Sequence, residues 1–489
     1  MIESGKENSS NHNYKIILLI TAILITFAAF ISFKNLENGF YWDDFHLIRS
    51  FTSSELKAVW HGNWDPDNIE TPGYRPLTPL FNNLRYRLFG ENVVCQRIFL
   101  VLLFVIILIA WAGFLQKVGL SNLWSVFIPL LVLSAKNSAY HFNWISDGIH
   151  LIQGFFFIIC IWLLYVSVSK RSKIQSCLFS ALSLVTYAIS LLIREDSLVI
   201  FGAVILLYFY LLYSDKAKKI WQIFVAFVFY LLVGSMVTVL IFYIGKVYVP
   251  DRTIGFNPQG FMQMLRYTIF LAGYKGGNSY YFIAALPIVL VICTFIHSKL
   301  DNRPINPSQY VLFIILFTLV LIGCLPGLTT SRSNLTFFST LFYCTWLGAS
   351  IFLFIEYFGR SDIKVYLNII FIFLLIPIIY KDSLSSIEFQ ESTAYPISNM
   401  LNSTDFIWGV YKNATVPEIR RMNSIAELNQ LGINQENWKT EIPLLMCDAY
   451  RKGIFHPDKK GDVFFPAYYF FSDWDPNYPF DLIQTNCKN

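Results

Sequence analysis

Charge is scarce in this sequence. Asp, Glu, Lys and Arg together make up 14% of its 489 residues, where a soluble domain carries about 25%. At roughly 150 residues per domain the length would allow about three soluble domains, but too few charges are present to cover three water-facing surfaces. The eight cysteines contain no CxxC and no Cys/His spacing, so no zinc site is expected. Internal repeats and low-complexity tracts are missing. A cleaved signal peptide is not expected either, because the first apolar stretch is long and Lys34 and Asn35 follow it without a small-residue cleavage site. The net charge of +5 comes from short scattered clusters, so it does not call for a nucleic-acid partner.

Apolar residues are plentiful. Hydrophobic residues are 55% of the chain and aromatics 18%, with 46 Phe, and the mean hydropathy is +0.50. This composition predicts an all-α polytopic membrane protein in contact with membrane lipids. About eleven stretches are apolar enough to cross a hydrocarbon core of ~30 Å: 15–33, 93–115, 121–135, 148–168, 174–193, 197–213, 220–244, 282–297, 310–326, 335–357 and 365–380.

Orientation follows from the basic residues of the short loops. With a cytoplasmic N-terminus, the inner loops hold Lys117; Lys170, Arg171 and Lys173; Lys216, Lys218 and Lys219; Lys299 and Arg303; and Arg360 and Lys364. The alternation runs through the whole chain. It places outside a first loop (34–92), a middle loop (245–281) and the segment from 381 onward. Residues 1–380 are then the transmembrane domain and 381–489 a small soluble α+β domain on the outer face. In that domain Asp405 to Tyr411 and Asp462 to Phe471 are candidate strands, and Ser424 to Leu431 a short helix with Ser424 as cap and Glu427 three residues on. Cys447 and Cys487 either pair there or stay as free thiols. Asn402-Ser403-Thr404 and Asn413-Ala414-Thr415 are glycosylation sequons, meaningful in a eukaryote.

The outer loops collect the polar chemistry. The first opens Gly39-Phe40-Tyr41-Trp42-Asp43-Asp44-Phe45-His46. Low dielectric and a like-charged neighbour both raise a carboxyl pKa, which is how a general base is brought toward neutral pH. The pair could equally hold a divalent cation such as Mg or Mn, or be an acidic patch at the interface anchored by Tyr41 and Trp42. Further on come Tyr74-Arg75-Pro76-Leu77 and an amphipathic helix. Leu77, Leu80, Phe81, Leu84 and Leu88 share one face of it and Arg85 lies largely opposite, as in a helix resting on the membrane surface or packing on the bundle.

At the same depth lie His141 to His150, with Asp147 among them, then Arg194-Glu195-Asp196, and Arg332 within Thr329 to Asn334. The middle loop adds Arg266, in an apolar run (261–272) too short to span, and Lys275 in Tyr274-Lys275-Gly276-Gly277-Asn278. Arg and Lys on an apolar outer face suit a phosphate, though basic residues also simply cap span ends, and Arg194 and Glu195 could be a structural pair. Taken as a set, acids, histidines and bases from separate loops face one side. Together they describe a cavity at the lipid boundary with groups for proton removal and for phosphate. An ion transporter would need ionisable residues at mid-membrane depth instead.

At these residues the chain resembles the GT-C superfamily of integral-membrane glycosyltransferases, which includes protein O-mannosyltransferases, the aminoarabinose transferases of lipid A, and many bacterial O-antigen and cell-surface glycosyltransferases. The likeness rests on Asp43-Asp44 early in the first outer loop, on Tyr74-Arg75-Pro76-Leu77 with the Leu-Phe-Gly before the second span, and on Arg194-Glu195 at the outer end of a middle span. It covers about the first 200 residues with some specificity and is topological beyond them. The resemblance implies a polyprenyl-phosphate sugar as donor, undecaprenyl phosphate in a bacterial inner membrane, and a glycan, lipid or protein acceptor, with O-antigen as one such glycan. Asp43 or Asp44 would be the base and transfer would invert the anomeric carbon. Arg194, Arg332, Lys275 and Arg75 would meet the donor phosphate, and Glu195 would orient Arg194. His46, Tyr74, His141, Asp147 and Arg266 would support the substrates. Members differ in whether they need a divalent metal. Two other readings stay open: a polymerase or ligase of lipid-linked glycan, and a non-catalytic transporter or flippase of the lipid-linked sugar.

Overall fold

The computed structural model describes residues 21–32, 36, 47–64, 74–90, 92–169, 172–194, 197–214, 220–248, 258–269, 279–300, 307–328, 336–358 and 363–387. The expected outer-face domain, with its candidate strands, helix and cysteine pair, lies outside them apart from its first seven residues, 381–387. About 89% of the structure is helical and no strand occurs among the described residues. The helices are α1 (Thr21–Ser32), α2 (Ser53–Ala58), α3 (Leu77–Phe89), α4 (Val93–Lys117), α5 (Asn122–Ser134), α6 (Lys136–Asn143), α7 (Ile149–Ser169), α8 (Lys173–Ile193), α9 (Ser197–Ser214), α10 (Ile220–Tyr248), α11 (Pro258–Ile269), α12 (Ser279–Leu300), α13 (Pro307–Gly323), α14 (Phe337–Phe358) and α15 (Ile363–Ile387).

Each of the eleven expected apolar runs falls on one of these helices. Among the described residues, five of them, α4, α7, α8, α14 and α15, are long and apolar enough to cross a membrane. The protein is therefore a multi-pass, all-α membrane protein. Local signals set several helix starts. Asn92 caps α4 by accepting from the Cys95 amide at 3.0 Å, and Thr52 with Glu55 forms a reciprocal capping box on α2. Gly90, at φ 57, ends α3 in a conformation that favours glycine.

The packing is that of helices in lipid. On α8, Ile174, Leu178, Leu182 and Val185 form an exposed apolar stripe, while Ser183, Tyr187 and Ser190 are buried on the other side. An exposed apolar face of this kind would be a liability in water. In a membrane it meets acyl chains, and small polar residues turn inward to hydrogen-bond. Ser183 Oγ donates to the Cys160 carbonyl at 2.8 Å and Gln153 Nε2 to the Ser190 carbonyl at 3.2 Å, which locks α8 onto α7.

Helix α14 is the central pillar: 83% of its most apolar stretch is buried, against 11% for the peripheral α15. It packs on α5, α12 and α13, with α11 and α6 at one end. A Cβ on Gly323 would lie 2.7 Å from the Ser339 Cα, so the end of α13 meets the start of α14 backbone to backbone. Trp111 Nε1 donates to Thr345 Oγ1 at 2.9 Å and ties α4 to the same pillar.

Hydrogen bonds sort the helix ends into two groups. At one end Asn137 reaches the Tyr267 carbonyl at 3.0 Å, the Thr268 and Ser339 hydroxyls meet at 2.7 Å, and Ser386 donates to the Ser134 carbonyl at 3.1 Å. At the other, Trp124 Nε1 reaches Asn368 Oδ1 at 2.9 Å and Lys364 pairs with Glu356 at 2.6 Å. The helix ends thus fall into two groups, and the first gathers these polar contacts.

Candidate functional site

The site begins where α5 stops. Ala135, at φ −57 and ψ 128, breaks the helix before α6 starts. After α6 the chain turns through residues 144–148, with the Gly148 amide donating to the Trp144 and Ile145 carbonyls at 3.1 and 3.2 Å. The turn is pressed on α4, since a Cβ on Gly148 would lie 2.5 Å from the Leu100 methyl carbons. This geometry sends His141, Asp147 and His150 into one buried volume.

Asp147 is the hub. Its Oδ2 lies 2.9 Å from His141 Nδ1, and its Oδ1 lies 3.4 Å from His150 Nε2 and 3.5 Å from an Arg194 guanidinium nitrogen. The carboxylate and both imidazoles are almost fully buried, and Arg194 is 12% exposed. Arg194 follows α8 in extended conformation (φ −149, ψ 163), which turns its side chain toward Asp147. The His141 and His150 rings also meet edge to face, with centroids 5.1 Å apart, and His141 packs against Phe337 of α14.

Burial alone would raise the Asp147 carboxyl. The charge of His150, the hydrogen bonds from His141 and His150, and the charge of His141 outweigh it and hold the group well below the usual carboxylate range. For His141 the balance runs the other way. Burial pushes the imidazole below its ordinary value, and the hydrogen bond and charge of Asp147 offset this only in part. The two groups are thus shifted in the same direction, and the Arg194 guanidinium lies 3.5 Å from the same carboxylate.

The first loop docks beside this cluster. Phe51 N–H donates to Asn83 Oδ1 at 3.1 Å, and Arg97 donates to the Leu36 carbonyl at 3.1 Å. Asp43 and Asp44 lie in sequence between these two anchored points. Thr78 Oγ1 donates to the Ile193 carbonyl, which sets α3 against the end of α8 next to Arg194. Arg85 of α3 is 2% exposed. It donates to the Ile145 carbonyl at 3.0 Å and to Gln96 Oε1 at 3.3 Å. Leu80, Leu84 and Leu88 point outward, while Leu77 and Arg85 are buried and Arg87 is exposed.

The remaining expected site residues divide as follows. Tyr74 is buried, which pushes its hydroxyl above the ordinary tyrosine value. Arg75 lies over the Trp64 ring, 4.7 Å from its centroid. Arg266 is exposed on α11, the helix that covers most of the middle-loop apolar run. Asp43, Asp44, His46, Glu195, Lys275 and Arg332 lie outside the described residues. The structure therefore brings together His141, Asp147 and Arg194 of the expected set and adds His150. The spacing His141-x5-Asp147-x2-His150 carries the signal for that addition: a turn at Gly148 followed by a helix start puts the second histidine three residues past the carboxylate.

A second buried acid is missed by the hydropathy reading, which ends the last span at 380. Helix α15 runs on to Ile387 and carries Asp382 with it. Asp382 is fully buried, and neither carboxylate oxygen has a hydrogen-bond partner among the described residues. The charges of Lys381 and Lys136 act on it, and its own charge reaches Cys344 of α14. A buried polar group without hydrogen bonds costs about 1–3 kcal/mol, and more if charged. Asp382→Leu, which removes both unbonded oxygens at similar size, is accordingly expected to raise the melting temperature of the purified protein, by about 1–3 kcal/mol in unfolding free energy. A thermal melt of the detergent-solubilised protein checks this, and a fall in melting temperature would show that the charge is held by favourable contacts.

No protein-family model matches the chain, and neither does any curated protein.

Proposed function

We propose that this protein is a glycosyltransferase that moves a sugar from a polyprenyl-phosphate carrier to an acceptor hydroxyl on the outer face of a bacterial inner membrane. The observation that supports this most directly is the buried Asp147 cluster with Arg194, set beside α3 of the first outer loop. It puts a cation and a pair of histidines together at one end of a helix bundle with exposed apolar faces.

In this reading all eleven apolar runs cross the membrane, with the N-terminus cytoplasmic and residues 381–489 forming an outer domain that selects the acceptor. The acceptor is a surface glycan such as O-antigen. Asp43 or Asp44 takes the proton from the acceptor hydroxyl. The oxygen attacks the anomeric carbon as the bond to the phosphate oxygen breaks, with inversion. Arg194 meets the charge that develops on the departing lipid phosphate, helped by Arg332, Lys275 and Arg75. Asp147 holds Arg194 in place, and the outward leucines of α3 sit where the carrier's polyprenyl chain would run.

Transfer of radiolabelled sugar from polyprenyl-phosphate donors, measured with the purified full chain and a membrane extract as acceptor, tests the reading. A positioned base contributes about 10²–10⁴-fold to rate. One of Asp43→Asn and Asp44→Asn should lose transfer by that factor while donor binding is kept. Transfer that survives both changes removes the Asp-base mechanism. Donor binding by wild type without transfer to any acceptor would favour a transporter of the lipid.

A further inference from the structure

The sequence offers no cysteine-based metal site, yet one cluster has donors of another kind. His141, Asp147 and His150 each present one ligand atom, and these three atoms all lie within 4.8 Å of one another. Two histidines and a carboxylate are a donor set for a transition metal of the zinc type; Mg and Ca prefer oxygen alone. Zinc bound at about 2.0–2.2 Å to nitrogen and oxygen places neighbouring donors roughly 3.3–3.5 Å apart. The His150 Nε2 to Asp147 Oδ1 separation is already 3.4 Å and His141 Nδ1 to Asp147 Oδ2 is 2.9 Å. These distances run to the two different oxygens of the carboxylate, and with one ligand atom from each residue within 4.8 Å of the others, side-chain rotation would bring three donors around one ion.

Hydrogen bonding does not complete the cluster by itself. His141 is fully buried, and Nε2, on the side of the ring away from Asp147, has no hydrogen-bond partner among the described residues, so no second hydrogen bond fixes the orientation of the ring. The nearby guanidinium does not forbid a second cation, because the Asp147 carboxylate lies between them and Arg194 retains 12% exposure to the surroundings.

We propose that His141, Asp147 and His150 form a binding site for one zinc-class divalent ion, which staples α6 to the start of α7 and keeps one coordination position open. The site shares Asp147 with the contact that holds Arg194, but the proposal does not rest on the sugar-transfer reading and has its own readout.

The full chain, purified without chelator in detergent, is measured for metal content by inductively coupled plasma mass spectrometry. About one zinc per chain is expected in wild type, with loss of most of it in His141→Ala and in His150→Ala. Wild type stripped by chelator should regain its melting temperature with Zn²⁺ and not with Mg²⁺. Co²⁺ added in place of zinc should give a visible d–d absorption band. The stripped wild type keeps the test sound if the alanine variants fail to fold. Absence of bound metal, with no shift of the wild-type melt on adding Zn²⁺, overturns the proposal and leaves a hydrogen-bonded cluster. Equal zinc in wild type and both variants means an adventitious ion only and also overturns it. Loss of sugar transfer with the zinc site intact would count against the transferase reading alone.

Discussion

Asp147→Ala should be among the most damaging single changes in this protein. It removes the carboxylate between two buried imidazoles and Arg194. Removing one partner of a buried ionic contact costs about 3–5 kcal/mol, because the group left behind stays desolvated without its counter-charge. Asp147→Asn keeps the shape and one acceptor oxygen, so it should fall between wild type and alanine. The ranking is read from thermal melts in detergent, with size-exclusion chromatography reporting the folded fraction. A melt for Asp147→Ala within error of wild type would mean that the cluster contributes nothing net to stability. Since Asp147 holds Arg194, Asp147→Asn should also weaken binding of a polyprenyl-phosphate donor, if Arg194 meets the phosphate as proposed.

Arg85→Ala is expected to come close to it. Arg85 is fully enclosed, and its guanidinium serves the Ile145 carbonyl and Gln96 Oε1. Hydrogen bonds to a charged group contribute about 1.5–3 kcal/mol each, so loss of both, with two acceptors left buried, should cost about 3–5 kcal/mol by the same scale. Lysine should recover only part of this, since a single ammonium cannot reproduce the planar fork of donors. Ile145 lies two residues before Asp147, so the change should also loosen the turn that aims the carboxylate. The check is the melt of Arg85→Ala beside Arg85→Lys, with hydrogen exchange of the peptide covering residues 141–150 as the local readout. Unchanged protection there would separate Arg85 from the site.

Arg85 also shows how far a helical period can be read. The leucines of α3 recur at helical spacing, so the sequence alone predicts one apolar face with Arg85 across from it. The structure keeps that pattern in part: Leu80, Leu84 and Leu88 point outward, while Leu77 is buried and Phe81 packs against the core. What the period leaves open is what covers the other face. That depends on the turn before α7 and the start of α4, which supply the Ile145 carbonyl and Gln96. Arg85 is held inside the protein instead of lying at the water interface.

Asp382 marks the opposite failure. Hydropathy drops at Lys381 and Asp382, so a window average ends the span there. The backbone hydrogen bonds of a helix continue through two charged residues when one flank is packed, and here Ser386 is bonded to the end of α5. A local average cannot register a partner 252 residues away in sequence.

The sequence by itself determined the class of this protein and the position of its helices. Low charge and long apolar runs leave a chain no stable arrangement except helices in lipid, where every backbone group must bond within its own segment. It also showed where the ionisable residues gather, since those side chains stand out against an apolar background. Only the tertiary structure decided which of them meet. Asp147 and Arg194 are 47 residues apart on different segments, and they come together because α8 packs along α7 through Ser183, Ser190 and Gln153. Coulomb and hydrogen-bond energies act over a few ångströms, so partners are chosen by helix packing and not by spacing along the chain.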